Sequence, residues 1–298
     1  MAGLTQFMAF AETAKHRGFA AAAREQGVAP SSLAKSVARL EAELGVKLFH
    51  RTTRQVTLTP DGERLFQRCQ RVLAEVEDLR ADASGTRAVP TGVLRIDAPV
   101  FYGKRFVMPL LAEMIHQYPT LHLDIRLTDM HSDIIRDGID LTVRIGQLRD
   151  SSLVGRRVDQ QSLVLCASRD YLAARGTPRR IEDLAGHDAI AFRLPTSGRD
   201  RPWQFRQRGT AVELMPQPHV RVDETEGLVD ALKLGMGLCQ LPDMLVEDEL
   251  KRGELKEIMP SCRPEPMPIS LVYPSGRLVP ARVRVALEVL DALRQRLR

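Results

Sequence analysis

The apolar positions Leu65, Cys69, Val72, Val76 and Leu79 recur at steps of four, three, four and three, and Phe66 and Leu73 thicken the stripe. Heptad spacing of this kind predicts one long helix through TPDGERLFQRCQRVLAEVEDLRADAS, with Thr59 as its N-cap and Pro60 at its first position. A helix with a single apolar seam needs something to cover it, and the same helix of a second copy is the simplest cover. Leu65, Cys69, Val72, Val76 and Leu79 are therefore candidate dimerisation residues; packing on the helix's own domain is the competing arrangement.

Upstream the pattern is helical and alanine-rich. FAAAAREQG stops at Gly27, a residue suited to a left-handed turn, and VAPSSLAKSVARLEAELG follows after a three-residue connection. Two short helices joined so tightly predict a helix-turn-helix. Leu33, Val37, Leu40 and Leu44 mark the inner face of the second helix, which leaves Ser31, Ser32, Lys35, Ser36 and Arg39 outside. Short hydroxyls and long cations near a helix N-terminus are what a DNA major groove accepts. HRTTRQVTLTPDG then predicts two short polar strands, a wing from which Arg51 and Arg54 reach phosphates or a narrow minor groove.

Beyond ASGTRAVPTG the period changes. VLRIDAP, LHLDIRL and DLTVRIG read as strands separated by the helices RFVMPLLAEMIHQYP and SDIIRDGI, successive βαβ units that imply a largely parallel sheet. The chain crosses over between Ser152 and about Val158. QSLVLCAS, AIAFR, HVRVDE, GLCQLP and ISLVYP supply further strands, interleaved with the helices TEGLVDALKLG and DMLVEDELKRG and a closing PARVRVALEVLDALRQRLR. Two α/β lobes joined by crossing strands would hold a small ligand in the crevice between them. The expected class is α/β, divided into a winged helix-turn-helix (1–59), a linker helix and hinge (60–90) and a two-lobed domain (91–298).

Composition adds a direction. A chain of 298 residues is long for one core, and its 44% apolar and 27% charged residues are those of a folded globular protein. The net charge of +5 matters for where it lies: from Lys15 to Arg54 there are eight basic and three acidic residues, and the remainder is balanced. The acidic partner, a nucleic acid, is thus expected at the N-terminal domain. No apolar run approaches the roughly 18 residues of a membrane span, so a cytoplasmic protein with no membrane partner is expected. Cys69, Cys166, Cys239 and Cys262 are scattered without a CxxC pair, and no two histidines stand four apart, so neither a metal nor a disulfide framework is expected.

Enzyme chemistry finds little footing. Ser32 and Lys35 have the spacing of a penicillin-binding Ser-x-x-Lys, but its companion Ser-Asp-Asn and Lys-Thr-Gly elements are absent. There is no GxSxG, HExxH or P-loop, and GMGLCQ keeps only two glycines of a dinucleotide fingerprint, at the wrong end of its helix. No catalytic residue and no cofactor is expected. The competitors are a solute-binding or enzymatic α/β module with an appended helix-turn-helix and a nonspecific nucleoid-type binder.

From Phe19 to Gly62, FAAAAREQGVAPSSLAKSVARLEAELGVKLFHRTTRQVTLTPDG resembles the DNA-binding signature of the LysR-type transcriptional regulators. DGIDLTVRIGQLRDSSLVGRRV, LCASRDYLAARGTPRRIEDLAGHD and GMGLCQLPDMLVEDEL are similar to the CrgA-like branch of that family. The resemblance covers essentially the whole chain. It implies a winged helix-turn-helix, a dimerising linker helix and an effector domain of two lobes like the type 2 periplasmic binding proteins. It further implies homodimers that pair into tetramers, occupation of interrupted inverted repeats in double-stranded DNA near promoters, and a small-molecule effector; contact with RNA polymerase is compatible with such a role.

Carried over residue by residue, the resemblance places Ser31, Ser32, Lys35, Ser36 and Arg39 on the recognition helix and Arg51 and Arg54 in the wing. It places the effector at Pro99, Val100, Phe101 and Tyr102, at Arg144, Ile145 and Gly146, at Cys166, Ala167 and Ser168, and at Glu224, Thr225 and Glu226. Ala29 and Ala34 stand where the family usually has serine, and Lys35 where it has arginine. Aromatic Phe101 and Tyr102 with acidic Glu224 and Glu226 point to a flat, less anionic effector, aromatic or cation-bearing.

Overall fold

The computed structural model describes residues 3–51, 56–83, 89–130, 133–148, 153–275 and 279–297. The chain divides into two compact units, Met1–Val89 and Pro90–Arg298.

In the first unit, α1 (Leu4–Lys15), α2 (Phe19–Gln26) and α3 (Pro30–Leu44) precede a two-stranded ribbon, β1 (Phe49–Arg51) and β2 (Val56–Leu58), and the long α4 (Pro60–Ala83). Phe10 is fully buried at the centre, 5.3 Å from the Phe49 ring and edge-on to Phe66 at 6.4 Å. Gly27 ends α2 in the left-handed conformation, φ 65°, as the turn requires. Ala29 stands at the N-cap of α3 with no side-chain hydrogen bond, the missing cap expected of an alanine there.

One buried carboxylate ties α3 to the ribbon. Glu41 accepts hydrogen bonds from the Leu48 N–H at 2.9 Å and the Phe49 N–H at 3.3 Å, with Lys47 Nζ at 3.3 Å. Thr59 repeats the device for α4: its hydroxyl donates to the Lys47 carbonyl at 2.6 Å and accepts from the Gly62 N–H at 2.9 Å, which makes it the N-cap.

The second unit has two lobes. Lobe I is a five-stranded sheet in the order β4-β3-β5-β14-β6: β3 (Gly92–Ala98), β4 (Leu121–Leu127), β5 (Leu141–Ile145), β6 (Leu153–Gln161) and β14 (Met267–Pro274). Between β3 and β4 run α5 (Val100–Tyr102), a π-helical turn (Gly103–Val107) and α6 (Met108–Gln117), and α7 (Ile134–Asp137) precedes β5. Lobe II holds β7 (Leu163–Ser168), α8 (Arg169–Arg175), β8 (Ala189–Phe192), the hairpin β9 (Trp203–Gln207) and β10 (Thr210–Leu214), and β11 (Pro218–Val222). It continues through α9 (Thr225–Lys233), β12 (Cys239–Pro242), α10 (Asp243–Arg252) and β13 (Leu255–Ile258), and after β14 the chain returns to lobe I as α11 (Ala281–Leu290) and a 3-10 turn, Asp291–Leu297.

The sheets are mixed rather than largely parallel. β3 pairs parallel with β4 and β5, but β14 is antiparallel to both β5 and β6, and β7 is antiparallel to β12 and β13. The reason is the double crossing. The chain leaves lobe I at the end of β6 and re-enters it in β14, running against the strands already laid down; Met267 faces Gln161 where the two crossings meet. The segment read as the crossover, residues 152–158, is therefore mostly β6 within lobe I, with the passage itself at Ser162. The hairpin β9–β10 was not foreseen, and the closing helix stops at Leu290.

Candidate functional sites

Leu33, Val37, Leu40 and Glu41 fix α3 against the core of the first unit. Ser31, Ser32, Lys35 and Arg39 are exposed on its outer side and Ser36 is half-buried beside them, so one face carries all five. The hydroxyls lie in the first two turns, where helix N–H groups also favour an anion. Arg51 ends β1, and Arg54 lies outside the described residues. The ribbon itself forms in register, Phe49 with Leu58 and Arg51 with Val56.

The apolar stripe of α4 divides its duties. Cys69 is buried in the core of the first unit, and Leu65, Phe66 and Leu73 pack against that core. Cys69 is thus spent within its own domain, and Leu65, half-buried, packs partly against the same core; heptad spacing shows that a stripe is covered, not by what. Val72 is 56% exposed and Val76 half-buried, leaving them available to a second copy, and the Leu79 side chain lies outside the description.

Between lobes I and II lies a cavity of about 440 Å³. Of the residues assigned to an effector, Pro99, Phe101, Tyr102, Arg144, Ile145 and Thr225 line it. Val100 and Gly146 do not: the Val100 N–H is turned to Asp129 at 3.1 Å, and the Gly146 N–H donates to the Pro268 carbonyl at 2.8 Å. Cys166, Ala167 and Ser168 are buried on β7, the strand between β12 and β13, and are not in the wall; Ser168 instead caps α8 through the Tyr171 N–H.

The two acids expected at the effector are occupied elsewhere. Glu224 caps α9, accepting from the Glu226 N–H at 3.0 Å and the Gly227 N–H at 2.7 Å. Burial opposes its ionisation, but these N–H groups and Lys104 prevail and hold its carboxyl below the ordinary value. Glu226 pairs with Lys104 across the lobes at 3.1 Å, and Arg105 pairs likewise with Asp248 at 3.3 Å. Neither glutamate reaches the cavity.

Tyr102 anchors the wall. Its hydroxyl donates to Asp159 Oδ2 at 2.8 Å, and the same oxygen meets Arg296 Nε at 3.0 Å. Arg296 also lies 3.9 Å over the Phe106 ring, joining the cavity wall to the C-terminal turn. Burial, then the charge of Asp159, pushes the Tyr102 hydroxyl up, so it remains a donor.

Reading the sequence missed several wall residues: Gln161 and Met267 at the crossings, Phe192, Met244, and Arg201. Burial pulls the guanidinium groups of Arg144 and Arg201 below the ordinary arginine value, and the charge of Asp97 works the other way at Arg144.

Burial also decides the thiols. It pushes Cys69 up to about 11 and Cys239 up to about 12, and raises Cys166, with Glu257 adding to the effect there. The thiolate is the reactive form, so near pH 8 only about one part in a thousand of Cys69 is competent, and burial also blocks a reagent's access to it. A maleimide near pH 8 is expected to modify Cys262, which is half-buried, and to reach the other three only after denaturation. Mass spectrometry of the labelled peptides checks this; native labelling of Cys69 contradicts it.

A helix-turn-helix whose outer face carries serines and cations, in one chain with a two-lobed unit enclosing a ligand-sized cavity, defines the class: a DNA-binding transcriptional regulator with an effector-binding domain. Residues 4–63 match the bacterial regulatory helix-turn-helix family of LysR type, and residues 87–295 match the LysR substrate binding domain. The chain belongs to the LysR family of transcriptional regulators, which are not enzymes.

It is 32% identical over 291 residues to the transcriptional activator AaeR of Escherichia coli K12, covering 97% of this chain and 93% of AaeR. It is 34% identical over 288 residues to the regulator PtxR of Pseudomonas aeruginosa, covering 96% and 91%. Among solved structures, the LysR-type regulator CrgA of Neisseria meningitidis superposes with a TM-score of 0.60 at 30% identity, over 97% of this chain and 98% of CrgA. Among the described residues no helix is long and apolar enough to cross a membrane, and no cluster of potential metal ligands occurs.

Proposed function

We propose that this protein binds interrupted inverted repeats near promoters through α3 and the wing, as a dimer or a tetramer built from dimers, and responds to a small molecule held between lobes I and II. The division of labour follows the domains 1–59, 60–90 and 91–298, and the setting is the cytoplasm. Ser31, Ser32, Lys35, Ser36 and Arg39 read or grip the major groove, and Arg51 and Arg54 grip the backbone. Val72, Val76 and Leu79 join two copies.

The observation that carries this is the α3 face: four exposed residues, two hydroxyls and two cations, on a helix whose opposite side is locked by Leu33, Val37 and Leu40. The cavity lies where β6 and β14 cross between the lobes, so a ligand there shifts the balance of open and closed lobes by its differential affinity. RNA polymerase would meet the DNA-bound assembly.

A nuclease footprint on the DNA upstream of the protein's own gene, with scrambled duplex as competitor, tests it. Protection of an inverted repeat is expected, at least about a thousandfold tighter than the scrambled duplex. Equal competition by scrambled DNA would replace specific regulation with nonspecific binding.

A further inference from the structure

Two arginines and two carboxylates reach the cavity, and they are unequal. Asp97 is 2% exposed and clamped by Arg126, Nε at 3.2 Å and Nη2 at 2.9 Å. Asp129 accepts from the Val100 N–H. Both acids thus already have donors within the protein. Arg201 has no such complement: among the described residues no carboxylate pairs with it, and its side chain's hydrogen-bond contact is Nη2 to Met267 Sδ at 4.0 Å. A thioether is a weak acceptor, so a half-buried cation is left without compensation.

The backbone beneath Arg201 is tightly held. Its N–H donates to the Phe192 carbonyl at 2.8 Å, and Trp203 and Phe205 beyond it are buried. Gln204 is pinned by Gln240 in both directions, N–H to Oε1 at 2.8 Å and Nε2–H to the carbonyl at 2.6 Å. A side chain carried on so constrained a segment is pre-organised, and the cost of leaving it unpaired is not relieved by moving it.

A second group in the same wall is unsatisfied. Thr225 Oγ1 is buried and lines the cavity without an aligned hydrogen-bond partner among the described residues, although it is near enough to Glu224 to help hold that carboxyl down. Phe101 and Phe192, Met130, Met244 and Met267, and prolines make up the apolar part of the remaining wall; threonines, Gln161 and Gln204 make up the rest.

We propose that the effector is a small organic carboxylate with an apolar, ring-sized body, its carboxylate received by Arg201 with Thr225 as a second donor and its body lying among the phenylalanine and methionine side chains. This rests on the cavity being the effector site; it keeps the flat body read from Phe101 and Tyr102, which line the cavity, and replaces only the less anionic character inferred from Glu224 and Glu226, which do not line it. Arg201 is a binding residue with a built-in consequence: its neighbour Met267 begins β14, one of the two strands crossing between the lobes. Drawing the guanidinium onto an anion disturbs the crossing itself.

The test titrates the full-length protein with benzoate, cinnamate and cyclohexanecarboxylate at millimolar concentration, and with the matching neutral amides, by thermal shift and calorimetry. At least one carboxylate is expected to bind and its amide to bind at least about tenfold more weakly, as loss of a charge-assisted hydrogen bond requires. Arg201→Met is expected to remove that discrimination and to raise the melting temperature of the unliganded protein, because it deletes an unpaired charge.

Arg201→Lys keeps the charge without the fork and is expected to retain part of the affinity. No binding by any carboxylate, equal binding of acid and amide, or unchanged discrimination in Arg201→Met would each overturn the proposal. A specific footprint combined with any of these results would leave the regulator standing and remove only the ligand class.

Discussion

Gly237→Ala is expected to lower the stability of the two-lobed unit by at least about 3 kcal/mol, seen as a fall in the denaturant midpoint of full-length protein. Two costs coincide. The residue sits at φ 143°, a region that side chains rarely adopt, and an added Cβ would lie 2.3 Å from the Asp188 carbonyl oxygen and 2.8 Å from its carbon. That carbonyl cannot withdraw cheaply, because it accepts the Leu238 N–H at 2.8 Å, while the Asp188 N–H donates to the Tyr171 hydroxyl at 2.8 Å.

Relief requires the two segments to part, and the segments are what join lobe II. Ala189 bridges Leu238 in parallel, and the Ile190 N–H donates to the Leu238 carbonyl at 2.8 Å, linking β8 and β11 to β12, β7 and β13. Phe192 lies on one side of that joint and Pro242, Met244 and Leu245 on the other, so the cavity loses its shape with it. Gly235→Ala supplies the comparison. It shares the positive φ, at 72°, but its nearest contact is Ser168 Oγ at 3.4 Å, so only conformational strain of about 1 kcal/mol is expected. Equal losses at the two positions would show that contact with Asp188 is not what makes Gly237 costly.

The polar outer face of α3 was legible in the chain because it is a local pattern. Leu33, Val37 and Leu40 recur at helical spacing, and once they are inside, Ser31, Ser32, Lys35 and Arg39 have nowhere to be but outside. The wing was legible for the same reason, with Thr59 and Pro60 marking where the ribbon ends. The hairpin β9–β10 carried a usable signal that passed unread: Trp203 and Phe205 alternate with Gln204 and Arg206, a Gly-containing turn follows, and Val212 and Leu214 resume the alternation.

The cavity was less legible, because its polarity is set by tertiary partners. Arg201 is one arginine among many in the sequence, and it gains significance only because no carboxylate pairs with it among the described residues. Glu224 and Glu226 misled in the opposite direction. An acid just before a helix is an N-cap candidate as much as a ligand group, and here Glu224 caps while Glu226 reaches Lys104. Cys166 was carried to the effector by the family resemblance alone; β7 is an inner strand with β12 and β13 on its two edges, which buries its side chains.

Replacing both Lys35 and Arg39 by alanine is expected to weaken operator binding at least about a hundredfold and to flatten its salt dependence by about two counter-ions. Both side chains are exposed, and α3 is held by Leu33, Val37, Leu40 and the Glu41 carboxylate, none of which the change touches. Alanine is at least as good a helix former as either cation, so the melting temperature of the protein is expected to hold. A double change of equal charge, Lys251→Ala with Arg252→Ala on α10, removes exposed residues whose partners are Glu247, Glu249 and Glu254. That control is expected to leave the affinity within a few-fold of the parent, since net charge alone acts weakly beyond a Debye length. If the control lost as much as the α3 pair, DNA would be held by overall charge and not by this helix. If the α3 pair flattened the salt dependence while the ratio of specific to scrambled binding stayed constant, Lys35 and Arg39 would grip phosphates only, and base choice would fall to Ser31, Ser32 and Ser36. A fall in both the salt slope and that ratio would place at least one of the two cations on a base edge, where a single contact discriminates by about 1–3 kcal/mol.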